Sequence, residues 1–195
     1  MEFDYYVQLI KGRMGERRFI HSVNVSDAAV ALAERYGADK EKARLAGILH
    51  DSCKEIPKDE MLQIISDGGI ILDATEKASS KLWHAIAGSV YAKQTLNIDD
   101  DDIINAIRYH TTGRADMSLL EKIIFTADFI SDERDYNDVE IMREKAFNDL
   151  EDAMLFGLSF TISNLADKRL PIHRDAIDCY NDILDKMTNL TKAKL

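Results

Sequence analysis

The sequence predicts an all-α fold. Apolar residues recur at helical spacing nearly throughout, and β-branched runs are rare. Only two prolines and nine glycines interrupt 195 residues. Helix start and stop signals fall between the apolar runs, as a chain of short helices requires.

The elements follow in order. Arg17 to Tyr36 carries Ile20, Val23, Ala28, Ala31 and Leu32 on an apolar side, and Gly37 stands where a C′ glycine ends a helix. Asp39 can cap the next helix, whose apolar side includes Ala43, Ala46, Ile48 and Leu49. Pro57 opens a short helix to about Ser66, and Gly68-Gly69 ends it. A helix from about Leu82 to Leu96 follows. Asp100 to His110 is another, with Asp99 to Asp102 placing negative charge at its positive end. Ser118 and Glu121 form a capping-box pattern before Lys122-Ile123-Ile124-Phe125. From Val139 onward the spacing predicts two or three helices, broken near Asn148 and at Pro171. No repeat, low-complexity stretch or linker divides the chain. Residues 1–195 therefore read as one domain, with a core at about 17–135 and a C-terminal helical part at about 138–190 packed on it.

Composition narrows the function. The net charge is -10, from 25 basic and 35 acidic residues. Phosphate contacts to nucleic acids and anionic membranes depend on Lys and Arg, so neither partner is expected. The start Met1-Glu2-Phe3-Asp4 lacks a basic region followed by an apolar stretch, and no run approaches ~18 apolar residues. The expectation is a cytoplasmic protein without a signal peptide or membrane span. Cys53 and Cys179 form neither a zinc spacing nor a disulfide framework, and read as reduced, partly buried thiols.

The most informative pattern is a series of histidines and aspartates: His21, His50-Asp51, His84, His110 and Asp128. Each lies in or beside an apolar helical segment. Buried imidazoles and carboxylates need partners, and one metal centre supplies a partner to all six. His50 and Asp51 project about 100° apart on an ideal helix, so both reach one site only where the helix ends. Lys54-Glu55-Ile56-Pro57 is such an end. The two oxygens of Asp51 allow it to bridge a pair of ions. His110 also falls at a helix end, before Thr111-Thr112-Gly113. Taken singly, His84 beside Trp83 could be a packing element, Asp128 a buried acceptor, and the His-Asp dipeptide a chance pair. Six separate explanations would then be needed in place of one. His173, near Pro171 and Arg174, lies outside the series and reads as structural.

The order of these residues resembles that of the HD-domain phosphohydrolase superfamily, and the added His84 and His110 resemble its dinuclear branch. Four longer segments narrow the resemblance to the bacterial YqeK family of symmetrical diadenosine-tetraphosphate hydrolases. They are Arg18-Phe19-Ile20-His21-Ser22, Ala46 to Lys54, Ala106 to Arg114, and Met117-Ser118 through Ala127-Asp128. The resemblance covers about residues 5–182, and His110-Thr111-Thr112-Gly113-Arg114 is its most specific part. It implies an HD-domain helical bundle with C-terminal helices packed on the core. One departure stands out. The family carries Glu-Pro two residues beyond the Ala-Asp pair, where this chain has Ser131-Asp132. The loop would lose a stiffening proline and a carboxylate at that place, whereas Arg134 keeps its position.

The resemblance implies two divalent or mixed-valence metal ions, iron foremost, with manganese or zinc as alternatives that the mixed imidazole and carboxylate set also suits. It assigns His21, His50 and Asp128 to one ion, His84 and His110 to the other, and Asp51 to both. Such a pair of ions, ~3.5–4 Å apart, can hold a hydroxide at neutral pH for in-line attack on phosphorus. His50, Asp51 and Lys54 are then the expected catalytic residues. Lys54, Thr111, Thr112, Gly113, Arg114 and Arg134 are the expected substrate contacts. Lys54 lies about one turn past Asp51, Arg114 offers a guanidinium fork, and Gly113 permits close backbone approach. The expected reaction cuts diadenosine tetraphosphate into two ADP. The alternatives are a nucleotidase or phosphodiesterase of the same superfamily, and a metal-stabilised nucleotide-binding module without turnover. The run Met154-Leu155-Phe156-Gly157-Leu158 could support a homodimer or serve as plain core.

Overall fold

The computed structural model describes residues 2–192, and among these it contains α-helices, one short 3₁₀ turn and no strand. The all-α expectation is borne out. The helices are α1 (Glu2–Lys11), α2 (Glu16–Tyr36), α3 (Lys40–Leu49), α4 (Lys58–Asp67), α5 (Ala74–Ala78), α6 (Trp83–Gln94), α7 (Asp101–Tyr109), α8 (Leu119–Ile130), α9 (Val139–Asn148), α10 (Leu150–Asp167) and α11 (Arg174–Lys192), with the 3₁₀ turn at Ser80–Leu82.

Local chemistry sets the boundaries. Gly37 takes a left-handed conformation at φ 75° and its N–H donates to Ala33 O, closing α2. The Asp39 carboxylate accepts from Glu41 N and Lys42 N, and Asp100 accepts from Asp102 N and Ile103 N. The capping box at Ser118 and Glu121 has both of its hydrogen bonds. The break near Asn148 is a recapping, because Asp149 accepts from Glu151 N and Asp152 N and starts α10. Two helices go beyond the sequence expectations. α1 has Phe3, Tyr6, Val7 and Ile10 at helical spacing, and Tyr6 and Ile10 are buried. α5 is one turn long, fixed by a capping box between Asp73 and Glu76.

Three apolar clusters hold the helices around the site. The main one joins α2, α3, α7 and α8 through Val25, Ala29, Leu32, Ile48, Leu49, Ile107, Ile123 and Ile124. Each fully buried Val, Leu or Ile side chain among them contributes about 1.5–3 kcal/mol. α2 and α3 approach closely because residue 47 is glycine; a Cβ there would lie 2.6 Å from Ser26 Cα. That contact brings the end of α3 against α2, and so His50 against His21. A second cluster packs α4 on α6 through Met61, Ile65 and Ile86, and includes Cys53. A third packs α10 and α11 on α8 through Met154, Leu158, Cys179, Ile183 and Phe125. Met154, Gly157 and Leu158 thus serve the interior. Cys53 and Cys179 are both free and buried, and burial pushes each thiol up to about 11. Among the described residues no helix is long and apolar enough to cross a membrane.

Candidate metal centre

The six residues of the series meet at one place. His50 ends α3 and His110 ends α7, so each imidazole leans out of its final turn as the spacing predicted. Asp51 follows in the turn after α3, His21 lies one turn into α2, His84 opens α6, and Asp128 sits in the last turn of α8. All are buried except Asp128, whose side chain is 23 % exposed. Asp51 lies in the middle. Its Oδ2 is 3.5 Å from His50 Nε2 and 3.7 Å from His21 Nε2. Its Oδ1 is 3.2 Å from His84 Nε2 and 3.6 Å from His110 Nε2. The carboxylate therefore divides the four histidines into two pairs, one per oxygen. Asp128 Oδ1 lies 3.1 Å from His21 Nε2, on the first pair's side.

The donor chemistry of this cluster calls for a cation. His50, His84 and His110 each place Nδ1 within 2.7–2.8 Å of a backbone carbonyl three residues earlier, at Gly47, Lys81 and Ile107. A carbonyl only accepts, so each Nδ1 carries the proton and each neutral ring turns a lone pair inward at Nε2. Yet His50 Nε2 lies 3.3 Å from His21 Nε2, and His84 Nε2 lies 3.2 Å from His110 Nε2. Asp51 Oδ1 is buried among them without a hydrogen-bond partner. Lone pairs set against lone pairs and carboxylate oxygens are repulsive unless positive charge lies between them. Burial pushes His84 down to about 4, which keeps the ring neutral and free to coordinate. Burial alone would raise the carboxylates. For Asp51 the interactions with His50, His110 and His84 outweigh it, and for Asp128 those with His21, His50 and Arg134 do, so both are held well below the usual carboxylate range.

The expected substrate contacts separate on inspection. Lys54 Nζ lies 2.9 Å from His84 Nε2 and 3.5 Å from Asp51 Oδ1, within the cluster. Thr111 Oγ1 lies 3.1 Å from His110 Nε2 and 3.4 Å from His84 Nε2. Arg134 Nη2 pairs with Asp128 Oδ1, and its Nε donates to Asp128 O at 2.8 Å. The other three point elsewhere. Thr112 is buried and donates to Gly113 O. Gly113 adopts φ 66°, and the space beside it is filled by α11, since a Cβ would lie 2.8 Å from Cys179 Sγ. Arg114 spends its fork on the buried Glu121, with Nε 2.6 Å from Oε1 and Nη2 2.9 Å from Oε2. The guanidinium also lies over the Tyr109 ring. In this structure these three expected contacts lie in a packed turn beside α8 and α11, with their polar groups and free space taken up by protein partners.

Two residues outside the sequence expectation belong to the site. Arg18, one turn before His21 on the same face of α2, donates from Nη1 to Asp51 Oδ2 at 2.7 Å. The i, i+3 spacing to His21 was the available signal. Glu133 accepts from His21 Nδ1. A carboxylate is thus present in this loop, two positions beyond the place where the family has its own. His173 stays apart from the cluster, near Asp73 and Glu76. Beside His21 a cavity of about 400 Å³ opens to solvent, lined by Arg17, Arg18, Arg134 and Tyr136 together with Glu55, Glu133 and Asp135.

Residues 18–131, which contain all six members of the cluster, match the family model described as the HD domain. The chain belongs to the HD-domain family. It is 42 % identical over 182 residues to a symmetrical bis(5'-nucleosyl)-tetraphosphatase of Halalkalibacterium halodurans, covering 91 % of this chain and 95 % of that one. A protein of the same description from Bacillus subtilis is 40 % identical over 172 residues, covering 88 % and 92 %. A crystal structure from Clostridium acetobutylicum, described as a predicted HD superfamily hydrolase involved in NAD metabolism, superposes with a TM-score of 0.92 at 39 % identity. The match covers 94 % of this HD-domain chain and 97 % of that one.

Proposed function

We propose that this chain is a metal-dependent symmetrical diadenosine-tetraphosphate hydrolase that yields two ADP. The observation that carries the reading is the pair of histidine pairs facing the two oxygens of Asp51, beside an arginine-lined cavity. The similarity to relatives described as symmetrical bis(5'-nucleosyl)-tetraphosphatases, over nine-tenths of their length, supports the substrate and the position of the cut.

In this reading His21, His50 and Asp128 would hold one divalent ion, His84 and His110 would hold a second, and Asp51 would serve both. Iron is favoured, with manganese or zinc as alternatives. When bound, the ions supply Lewis-acid charge for the phosphoryl oxygens and a coordinated water acidic enough to react near pH 7. The remaining work falls to the chain. Arg18 holds Asp51 in place through its Nη1 and also lines the cavity. Arg18, Arg134 and Arg17 receive the polyphosphate, from a cavity wall that also carries Glu55, Glu133 and Asp135. Lys54 places its ammonium on the His84 side, where it neutralises a phosphoryl oxygen. Thr111 offers a hydroxyl there. The core of about residues 17–135 and the C-terminal helices act as one unit, since α10 and α11 brace α8, which carries Asp128.

The test is product analysis. Purified protein loaded with Fe²⁺ or Mn²⁺ is incubated with diadenosine tetraphosphate and the nucleotides are separated. ADP as sole product is the expected result, with His50→Ala/Asp51→Ala as the inactive control. AMP plus ATP would place the cut at an outer phosphorus. An intact dinucleotide alongside cleaved nucleoside monophosphates would favour a nucleotidase.

A further inference from the structure

Four imidazoles point Nε2 at the centre of the cluster, but they are not held from behind in the same way. His50, His84 and His110 each rest on a neutral backbone carbonyl. His21 alone rests on a carboxylate, Glu133. That carboxylate is itself fixed. Asn24 Nδ2, one turn beyond His21 on α2, donates to Glu133 Oε2 at 2.7 Å. Ser131 Oγ donates to Glu133 Oε1 at 2.8 Å. The nearest competing cation, Arg134 Nε, is 4.0 Å away and committed to Asp128 O.

We infer that Glu133 is a positioning residue for His21, and that through it His21 binds more strongly at the tighter of two unequal metal positions, the one that Asp128 also serves. The physical reason lies in the acceptor. A carbonyl orients the ring and fixes its tautomer. A carboxylate does both and also draws the Nδ1 proton toward itself, which raises electron density at Nε2 and makes it a stronger donor. Since the other three rings have neutral partners, Glu133 sets the His21 ring apart, on the side of the cluster that also holds Asp128 and away from Lys54, which sits on the His84 side. Ser131 and Asn24 prevent Glu133 from turning to solvent, so its charge stays on the His21 axis. This inference rests on the two-ion reading above.

The test is a Co²⁺ titration of chelator-stripped full-length protein, in competition with a chromophoric chelator and with the cobalt d–d bands recorded. The unaltered protein is expected to take two ions with separable affinities. Glu133→Gln keeps an acceptor oxygen and the shape of the side chain while removing the charge. It is expected to weaken the tighter position about 10–100-fold, to leave the weaker one unchanged, and to shift the bands of the first ion bound. The melting temperature of the metal-free protein should not move. Asn24→Ala, which loosens Glu133 but keeps its charge, should give a smaller change at the same position, and it serves as the test should Glu133→Gln fold poorly. Two bound ions whose affinities are both unchanged in the variants, or fall together, would overturn the role of Glu133 alone. An unaltered protein that takes up fewer than two ions would overturn the inference together with the two-ion reading.

Discussion

Two loops of this protein carry an arginine close in sequence to a residue of the cluster, and they use it in opposite ways. The loop between α7 and α8 begins next to His110 and holds Arg114. The loop between α8 and α9 begins just past Asp128 and holds Arg134. Arg114 is bound at both ends of its fork by Glu121, a carboxylate only 1 % exposed, and lies over Tyr109. Arg134 binds Asp128, a member of the cluster, and lines the open cavity. The first loop is a strut that ties α7 to α8 and α11. The second is a wall of the site. A guanidinium goes where an uncompensated carboxylate lies, because leaving a buried carboxylate unpaired costs several kcal/mol. The capping box of α8 puts Glu121 beside the first loop, and the cluster puts Asp128 beside the second.

Mutations sharpen the contrast. The largest effect sets the scale for both loops: Asp51→Ala removes the group that both histidine pairs face. It should lower turnover of diadenosine tetraphosphate by about a thousand-fold or more and abolish uptake of at least one metal ion, as elemental analysis would show. Next come the two arginines. Arg134→Ala should lower kcat/KM by about 10–100-fold through lost phosphate binding and a freed Asp128, with little change in melting temperature. Arg114→Ala should do the reverse. It leaves the buried Glu121 charge with only the Ser118 N–H of the capping box and should cost about 2–3 kcal/mol, a drop of roughly 5–10 °C in a chain of this size, while kcat/KM measured well below the transition stays close to the parent value. If Arg114→Ala destroyed activity without loss of stability, the strut and the wall would have to be exchanged.

The sequence made the histidine and aspartate series legible because each member is a polar residue in an apolar helical context. That anomaly survives in one dimension. The helix ends at His50 and His110 were legible for the same reason, through capping and breaking signals nearby. Direction of side chains in loops was not. Thr111 and Thr112 are adjacent and alike, yet one hydroxyl faces His84 and His110 and the other closes on the backbone of Gly113. Only the turn geometry decides between them. Glu133 was hidden by a different cause. A carboxylate displaced by two positions in a loop reads as an absence when positions are matched along the chain, although the folded loop brings Glu133 to His21 Nδ1. Arg18 lay within reach of spacing arguments, since three residues on a helix define a face.

The smallest expected effect bears on the strut loop alone. Gly113 combines a positive φ of 66° with contact to α11, where a Cβ would meet Cys179 Sγ at 2.8 Å and Cys179 Cβ at 3.2 Å. Gly113→Ala should therefore carry two costs, backbone strain of about 1 kcal/mol and overpacking of about 1 kcal/mol or more. The two are separable. Cys179→Ala removes the sulfur that the new methyl would strike, so the double variant should recover part of the overpacking and none of the strain. In a double-mutant cycle from denaturant unfolding, that appears as a favourable coupling between positions 113 and 179. The rate on diadenosine tetraphosphate should stay near the parent value in all three variants, because this backbone faces the third apolar cluster and not the histidines. A loss of activity in Gly113→Ala that Cys179→Ala does not relieve would mean that the turn also serves the substrate, and the line between strut and wall would then run through the loop itself.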